Sequence, residues 1–290
     1  MDLGRVGVWS AALRTGDRAE VADAAAELEE LGFGALWFPG GAEREVLPAA
    51  DVLLDATKRV AVATGIVNIW ATTPEALARE YTELAERHPD RFLLGLGVGH
   101  ARSTEEVIGR HYERPYSEMV RFLDGLDSAP TPVPIEARAL AALGPRMLEL
   151  ARHRSAGAHP YFSDPAHTAF ARGVLGEEKL LAPELMVVLD DDPDAAREIA
   201  RATAARYLAL PNYANNLRRL GFSDEELQGA GSDRLLEAVI CIGDEAAIET
   251  RVAAHLYAGA DHVCIQVLTS DATALARTQW RRLADALNLG

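Results

Sequence analysis

The chain has 290 residues, 49% of them hydrophobic, and a formal net charge of −15 at pH 7. That length and composition supply a large core for one α/β domain. The acid excess argues against nucleic acid and against anionic membrane as partners, so an anionic ligand must be held by local dipoles or arginines.

Lys58 and Lys179 are the only lysines, and the other basic side chains are arginine. Cys241 and Cys264 lie far apart with no CxxC or metal-ligand spacing, and no signal-peptide pattern is present, so a reducing cytoplasm is expected. No apolar run approaches the ~20 residues that span a bilayer.

Residues 6–10 predict a short apolar strand, and 17–31 an Ala-rich amphipathic helix stopped by Gly32. A second strand at 35–39 precedes a helix at 46–57 with Pro48 in its first turn. The β-branched run 60–67 predicts strand three. A helix follows at 74–87, with Thr73 as N-cap and Pro74 at N1. Strand four, 92–98, is a continuous apolar run, as expected where both faces are covered. Gly95, Gly97 and Gly99 thin out its side chains, which in a strand marks close approach of backbone or ligand. A polar connection leads from His100 to a helix at 116–126.

The second half repeats the rhythm less cleanly. Strands are expected at 134–137, 157–161, 184–189 and 262–268, and helices at 145–152, 165–175, 193–208, 244–258 and 272–287. Asp164 and Asp192 stand where N-caps belong. Eight strands, each followed by a helix, predict an α/β fold: a (β/α)8 TIM barrel, one domain over 1–290. Segments 100–115 and 211–239 exceed the minimal barrel, the second carrying Asn212, Tyr213, Asn215, Asn216 and several arginines. Such insertions serve as lids and binding loops, or cap the barrel and make oligomer contacts.

The C-terminal strand ends of such a barrel form its active-site face, which singles out His100. Leu143 and Gly144 lead into a helix with Pro145 at N1, whose free N–H groups and dipole form an anion site. Arg146 can add a charged donor. Gly-Pro alone also marks an ordinary strand–turn–helix joint. At the end of strand three, Asn68 can bond a polar ring edge and Trp70 offers a flat surface. With Trp9, Ser10, Trp37 and Phe38 they suggest an aromatic mouth suited to a planar heterocycle, and Gly40 and Gly41 leave room for backbone approach. His159, Tyr161 and Gln266 are polar candidates at strands six and eight, whereas His88, His111, His153, His167 and His255 read as surface or helix positions. HExxH, paired-histidine and GxSxG patterns are absent, so no metal and no serine nucleophile is expected. The glycines of strand four do not match GxGxxG and fall inside the strand, so a Rossmann site is rejected.

Several segments carry a resemblance in their order and spacing. They are 25–33 before Leu36-Trp37-Phe38-Pro39-Gly40-Gly41, Ala63-Thr64-Gly65-Ile66-Val67 before Pro74, and 89–97. Ala141-Ala142-Leu143-Gly144-Pro145, Pro211-Asn212-Tyr213 and 258–263 follow. Together they resemble the bacterial luciferase-like flavin and deazaflavin oxidoreductases, and within them the actinobacterial group that uses coenzyme F420.

The resemblance implies a TIM barrel with the cofactor ring at the strand C-termini, near Trp9, Gly40, Asn68 and His159. It also implies a non-prolyl cis peptide between Gly65 and Ile66, a phosphate near Leu143 and Gly144, and a homodimer or higher homo-oligomer. The expected reaction moves hydride between F420 and a small organic substrate. An FMN-dependent monooxygenase with a partner reductase is one alternative, and a redox-inactive barrel acting as a binding or structural subunit is another. Relatives often carry Asp-His where this chain has Gly40 and Gly41, and Glu where it has His100, which disfavours a sugar-phosphate dehydrogenase. His100 can serve as the proton-transfer residue, since an ordinary pKa of ~6.5 suits both directions, or simply hydrogen-bond cofactor or loop backbone.

Overall fold

Short, largely buried strands alternate with helices, several of them capped by the side chain just before the first turn, and that alternation fixes the architecture. The structure, a computed structural model, describes residues 1–41, 46–271 and 273–290. In chain order β1 (Val6–Trp9) leads through a short turn α1 (Ala12–Thr15) to α2 (Arg18–Glu30), then β2 (Ala35–Phe38), α3 (Leu47–Ala56), β3 (Ala61–Thr64) and β4 (Val67–Asn68). Next come α4 (Pro74–Arg87), β5 (Phe92–Gly97), α5 (Pro115–Asp127), β6 (Arg138–Leu140), α6 (Pro145–Arg154), β7 (Gly157–Ala158) and α7 (Pro165–Leu175). The chain closes with β8 (Leu180–Leu181), β9 (Glu184–Val188), α8 (Pro193–Leu208), α9 (Pro211–Arg219), α10 (Asp233–Val239), β10 (Ile240–Ile242), α11 (Glu245–Tyr257), β11 (Val263–Val267) and α12 (Arg277–Ala286).

The caps explain why these helices start where they do. Asp17, Thr73, Asp164, Asp192 and Asp244 each accept a backbone N–H of the first turn, and proline opens α4, α7 and α8. In α4 the buried residues Leu77, Ala78, Tyr81 and Leu84 recur at helical spacing and pack inward. Burying a leucine such as Leu77 stabilises the fold by roughly 1.5–3 kcal/mol.

All the ladders are parallel, and the strands follow one path, β10-β9-β11-β1-β2-β3-β5-β6-β7-β8, with β4 beside β5. The sheet is curled: β8 runs into β9 through Ala182 and Pro183, and Ala182 and Glu184 donate to the carbonyls of Ala158 in β7 and of Pro160 just past it. Side chains alternate across it. Leu36, Val62, Leu94, Leu140 and Ile265 face the helices. Ala35, Trp37, Ala61, Ala63, Leu93, Ala139 and Cys264 face inward. The inward set is small except for Trp37, whose Nε1 donates to His262 Nε2 at 3.1 Å. A Cβ on Gly7 would lie 2.7 Å from that imidazole, so residue 7 is glycine to admit it. A second core joins Met186 and Val188 of β9 to α8, α9 and α10.

Several expectations need correction. The strand placed at 134–137 is a 3-10 turn over Ile135–Ala137, and the strand is Arg138–Leu140. Arg138 hides it, because a fully buried arginine reads as a break; its charge is matched by Asp127 at 2.5 Å and by the Arg154 carbonyl. Ile240–Ile242 pairs in parallel with Met186–Val188, a strand too short to notice after an unbroken helix. Strand three divides into β3 and β4 around the cis Gly65–Ile66 peptide. The last helix begins at Arg277, and Ala272, where it was expected to start, lies outside the described residues.

Candidate active site

Residues at or just beyond the C-terminal ends of β1, β2, β3, β5, β6 and β7 line an open cavity of about 520 Å³. Segment 211–239 adds Asn212, Tyr213, Asn215 and Arg219 to its wall, and segment 100–115 adds Ser103. Both insertions therefore contribute to the same mouth.

The glycines of β5 explain its floor. A Cβ on Gly95 would lie 1.8 Å from the Thr64 carbonyl oxygen, one on Gly97 2.5 Å from Ile66 Cδ1, and one on Gly99 2.5 Å from Asn68 Nδ2. The three clear a trough in which segment 64–68 lies, and Thr64 Oγ1 ties it to Gly95 through both backbone groups. Gly99 also takes a positive φ of 57°, which turns the chain toward His100.

Gly65 and Ile66 line the cavity, flanked by two unsatisfied nitrogens. Trp9 Nε1 and His159 Nε2 are buried without a hydrogen-bond partner. They would lie 2.5 and 2.9 Å from a Cβ on Gly65. His159 Nδ1 donates to the Ala182 carbonyl at 2.8 Å, so Nε2 carries the lone pair. Burial pushes its pKa down to about 4, against the opposing pull of that carbonyl, and the ring stacks on Trp37 at 4.4 Å. A permanent donor and a permanent acceptor thus stand side by side.

His100 is half-buried on the same cavity, its ring 5.5 Å from Tyr213. Burial lowers its pKa, and a hydrogen bond with Asn212 opposes that. The imidazole is neutral near pH 7 and able to accept a proton.

Gly144 is the N-cap of α6 with no side chain capping the helix. His167 Nε2 donates to the Leu143 carbonyl at 2.9 Å, fixing the loop. Arg146, expected as the charged donor, lies with its guanidinium 4.3 Å over the Tyr116 ring and is not part of the lining. Arg219 is the arginine beside this loop: its Nη2 is 3.6 Å from where a Gly144 Cβ would be, and Asn216 Oδ1 accepts from its Nη1 at 3.0 Å. Among the described residues, no aspartate or glutamate lines the cavity, and Arg219 is its one fixed charge.

Other expectations shift. Gly40 stands behind the lining: its N–H donates to the Ile66 carbonyl, which a Cβ would approach to 2.5 Å, while Gly41 faces the cavity. Trp37 and Phe38 are buried in the core, and Trp70 donates to the Val98 carbonyl outside the lining. The aromatic wall is instead Trp9, Tyr161, Tyr207 and Tyr213. Tyr207 gave no signal in sequence, since it sits in an ordinary amphipathic helix. Of the histidines read as surface or helix positions, His167 on α7 and His255 on α11 are helix positions and are buried. Asp51, Asp55 and His88 bring three potential ligand atoms within 4.8 Å of one another on the outer surface of α3 and α4, but Arg87 already pairs with Asp51. No helix among the described residues is long and apolar enough to cross a membrane.

The luciferase-like monooxygenase family model matches residues 2–124. No curated protein matches by sequence. Over nearly its whole length the chain has the fold of several solved enzymes. One is an F420-dependent secondary alcohol dehydrogenase in complex with an F420-acetone adduct, at 15% identity, covering 99% of this chain and 98% of that one, with TM-score 0.75. A coenzyme F420-dependent tetrahydromethanopterin reductase from Methanopyrus kandleri gives 17% identity, 98% and 99% coverage, and TM-score 0.77. The oxygenating constituent of 3,6-diketocamphane monooxygenase from Pseudomonas putida, in complex with FMN, gives 16% identity, 99% and 96% coverage, and TM-score 0.65.

Proposed function

We propose that the chain is an oxidoreductase, a single-domain (β/α)8 barrel that binds the deazaflavin F420 and exchanges hydride between it and a small organic substrate. The observation that carries this is the pair of unsatisfied nitrogens over Gly65 in a cavity that no carboxylate among the described residues lines. The dione edge of a flavin or deazaflavin ring alternates C=O acceptors with an N–H donor, matching the Trp9 indole donor beside the His159 acceptor. The phosphate would be held by the first-turn amides of α6 and by Arg219, which answers the need for local positive charge in a chain of net charge −15.

Bound deazaflavin supplies a hydride acceptor and donor at its C5. His100 takes up or returns the proton that accompanies substrate oxidation or reduction, kept neutral by burial and oriented by Asn212. Trp9, Tyr161 and Tyr213 exclude water around it. The two F420-dependent enzymes superpose with higher TM-scores than the FMN-bound oxygenase, which supports the deazaflavin. The family match over residues 2–124 keeps FMN as the second reading.

Titrating apo protein with F420 and with FMN, followed by cofactor fluorescence, separates them. Tight F420 binding is expected; binding of FMN alone would refute the deazaflavin assignment, and binding of neither would favour a redox-inactive barrel.

A further inference from the structure

Tyr161 and Tyr207 both line the cavity, and their hydroxyls lie 2.7 Å apart. Tyr161 Oη is also 2.7 Å from Oε1 of Gln266 on β11. The direction of every hydrogen in this chain of three follows from its last member. A carbonyl oxygen can only accept, so Tyr161 spends its one hydrogen on Gln266. The Tyr161–Tyr207 bond then needs the hydrogen of Tyr207. Burial raises the pKa of both phenols, so both keep their hydrogens across the physiological range. Tyr207 is left with no hydrogen to offer a ligand and a free lone pair.

Tyr213 locates that lone pair relative to the proposed chemistry. Its ring lies 5.3 Å from that of Tyr207 and 5.5 Å from that of His100, so both flank one aromatic wall. His100 is neutral and offers a second acceptor on the same wall.

We propose that Gln266, acting through Tyr161, fixes Tyr207 as a hydrogen-bond acceptor in the cavity, so that the site selects substrates bearing an O–H or N–H donor over their carbonyl counterparts. Tyr207 is the specificity-determining residue and Gln266 a positioning residue. A carbonyl ligand would set its lone pairs against that of Tyr207 and leave both unsatisfied, whereas a hydroxyl of the same shape supplies the missing hydrogen. The inference rests on the proposed reading only in taking this cavity as the substrate site.

The test uses cyclohexanol and cyclohexanone, a pair matched in shape, binding to apo protein and to protein with F420 and read by calorimetry, with intrinsic tryptophan fluorescence alongside. Wild type should prefer the alcohol by about 3- to 10-fold, the worth of one hydrogen bond. Gln266→Glu keeps an acceptor at the end of the chain and should keep the preference. Gln266→Met frees the Tyr161 hydrogen to turn toward Tyr207, and that of Tyr207 toward the ligand; the preference should vanish. Tyr161→Phe should do the same. Equal affinities in wild type, failure of either probe to bind under both conditions, or Gln266→Glu behaving like Gln266→Met would each overturn the inference. F420 titrated into each variant keeps the two ideas apart. Alcohol preference without F420 binding upholds this inference and rejects the deazaflavin, and F420 binding without the preference does the reverse.

Discussion

Glu184 opens β9, is 1% exposed, and burial dominates its electrostatics with no cation among the causes of its shift. Oε2 accepts the Phe162 N–H at 3.2 Å, and Oε1 has no partner. Burial pushes its pKa from 4.5 up to about 8, with the Phe162 N–H opposing the rise. The folded protein therefore holds a proton that the unfolded chain releases above pH 4.5. The contribution to stability is complete below that pH, declines as the pH rises, and is gone once the pH passes the folded value near 8. At about 1.36 kcal/mol per pH unit, the full swing is about 5 kcal/mol.

Glu184→Gln keeps an acceptor for Phe162 and a donor where the acid proton sat, and it does not titrate. Urea unfolding of wild type and variant at intervals from pH 4.5 to 8.5 gives the difference in stability, in which the other titrating groups cancel. That difference should move steadily in favour of the glutamine variant by several kcal/mol, up to about 5, and flatten near pH 8. A difference independent of pH would show that the carboxyl is already ionised in the folded protein and would refute the reasoning.

The other predictions concern the trough and the cavity. Gly95→Ala sets a methyl against the fixed Thr64 carbonyl and should cost more stability than Gly97→Ala, which meets the Ile66 and Ala141 side chains but no backbone and should cost about 1–3 kcal/mol; thermal melts rank them, and equal small losses would reject the trough. Arg219→Ala should weaken F420 or FMN binding by roughly tenfold or more, the worth of a charge-assisted hydrogen bond, while Arg146→Ala should leave it unchanged in the same titration. Gly144→Val should melt like wild type, because φ there is −88° and the nearest atoms are 3.6 Å from the new Cβ, yet bind either cofactor more weakly by crowding Arg219. In wild type the rate of substrate oxidation should rise with pH through a midpoint below the ordinary histidine value, since the neutral base is the active form in that direction, and His100→Gln should abolish that limb; a limb that survives would assign the proton step to another group.

What the sequence made legible divides by the range of the interaction. Thr73 before Pro74, Asp164 before Pro165 and Asp192 before Pro193 mark helix starts because cap and amide are near neighbours, and α4, α7 and α8 begin where those pairs put them. Gly95, Gly97 and Gly99 announce that something lies against β5, but what lies there is set across the sheet: the turn from Thr64 to Asn68, not a ligand phosphate. Arg138 shows the same limit from the other side, since only its distant partner Asp127 turns an apparent break into a strand. The proposed anion donor follows the same rule. Arg146 is adjacent in sequence to Gly144 and lies on Tyr116, whereas Arg219 reaches the loop from a helix that the sequence marks only as an insertion containing arginines. The choice between them depends on how α9 packs over the strand ends, and no local pattern encodes that. Chemistry in this fold is assembled where separate βα units meet, so sequence points to the strand ends and the packing of the insertions decides which side chains arrive.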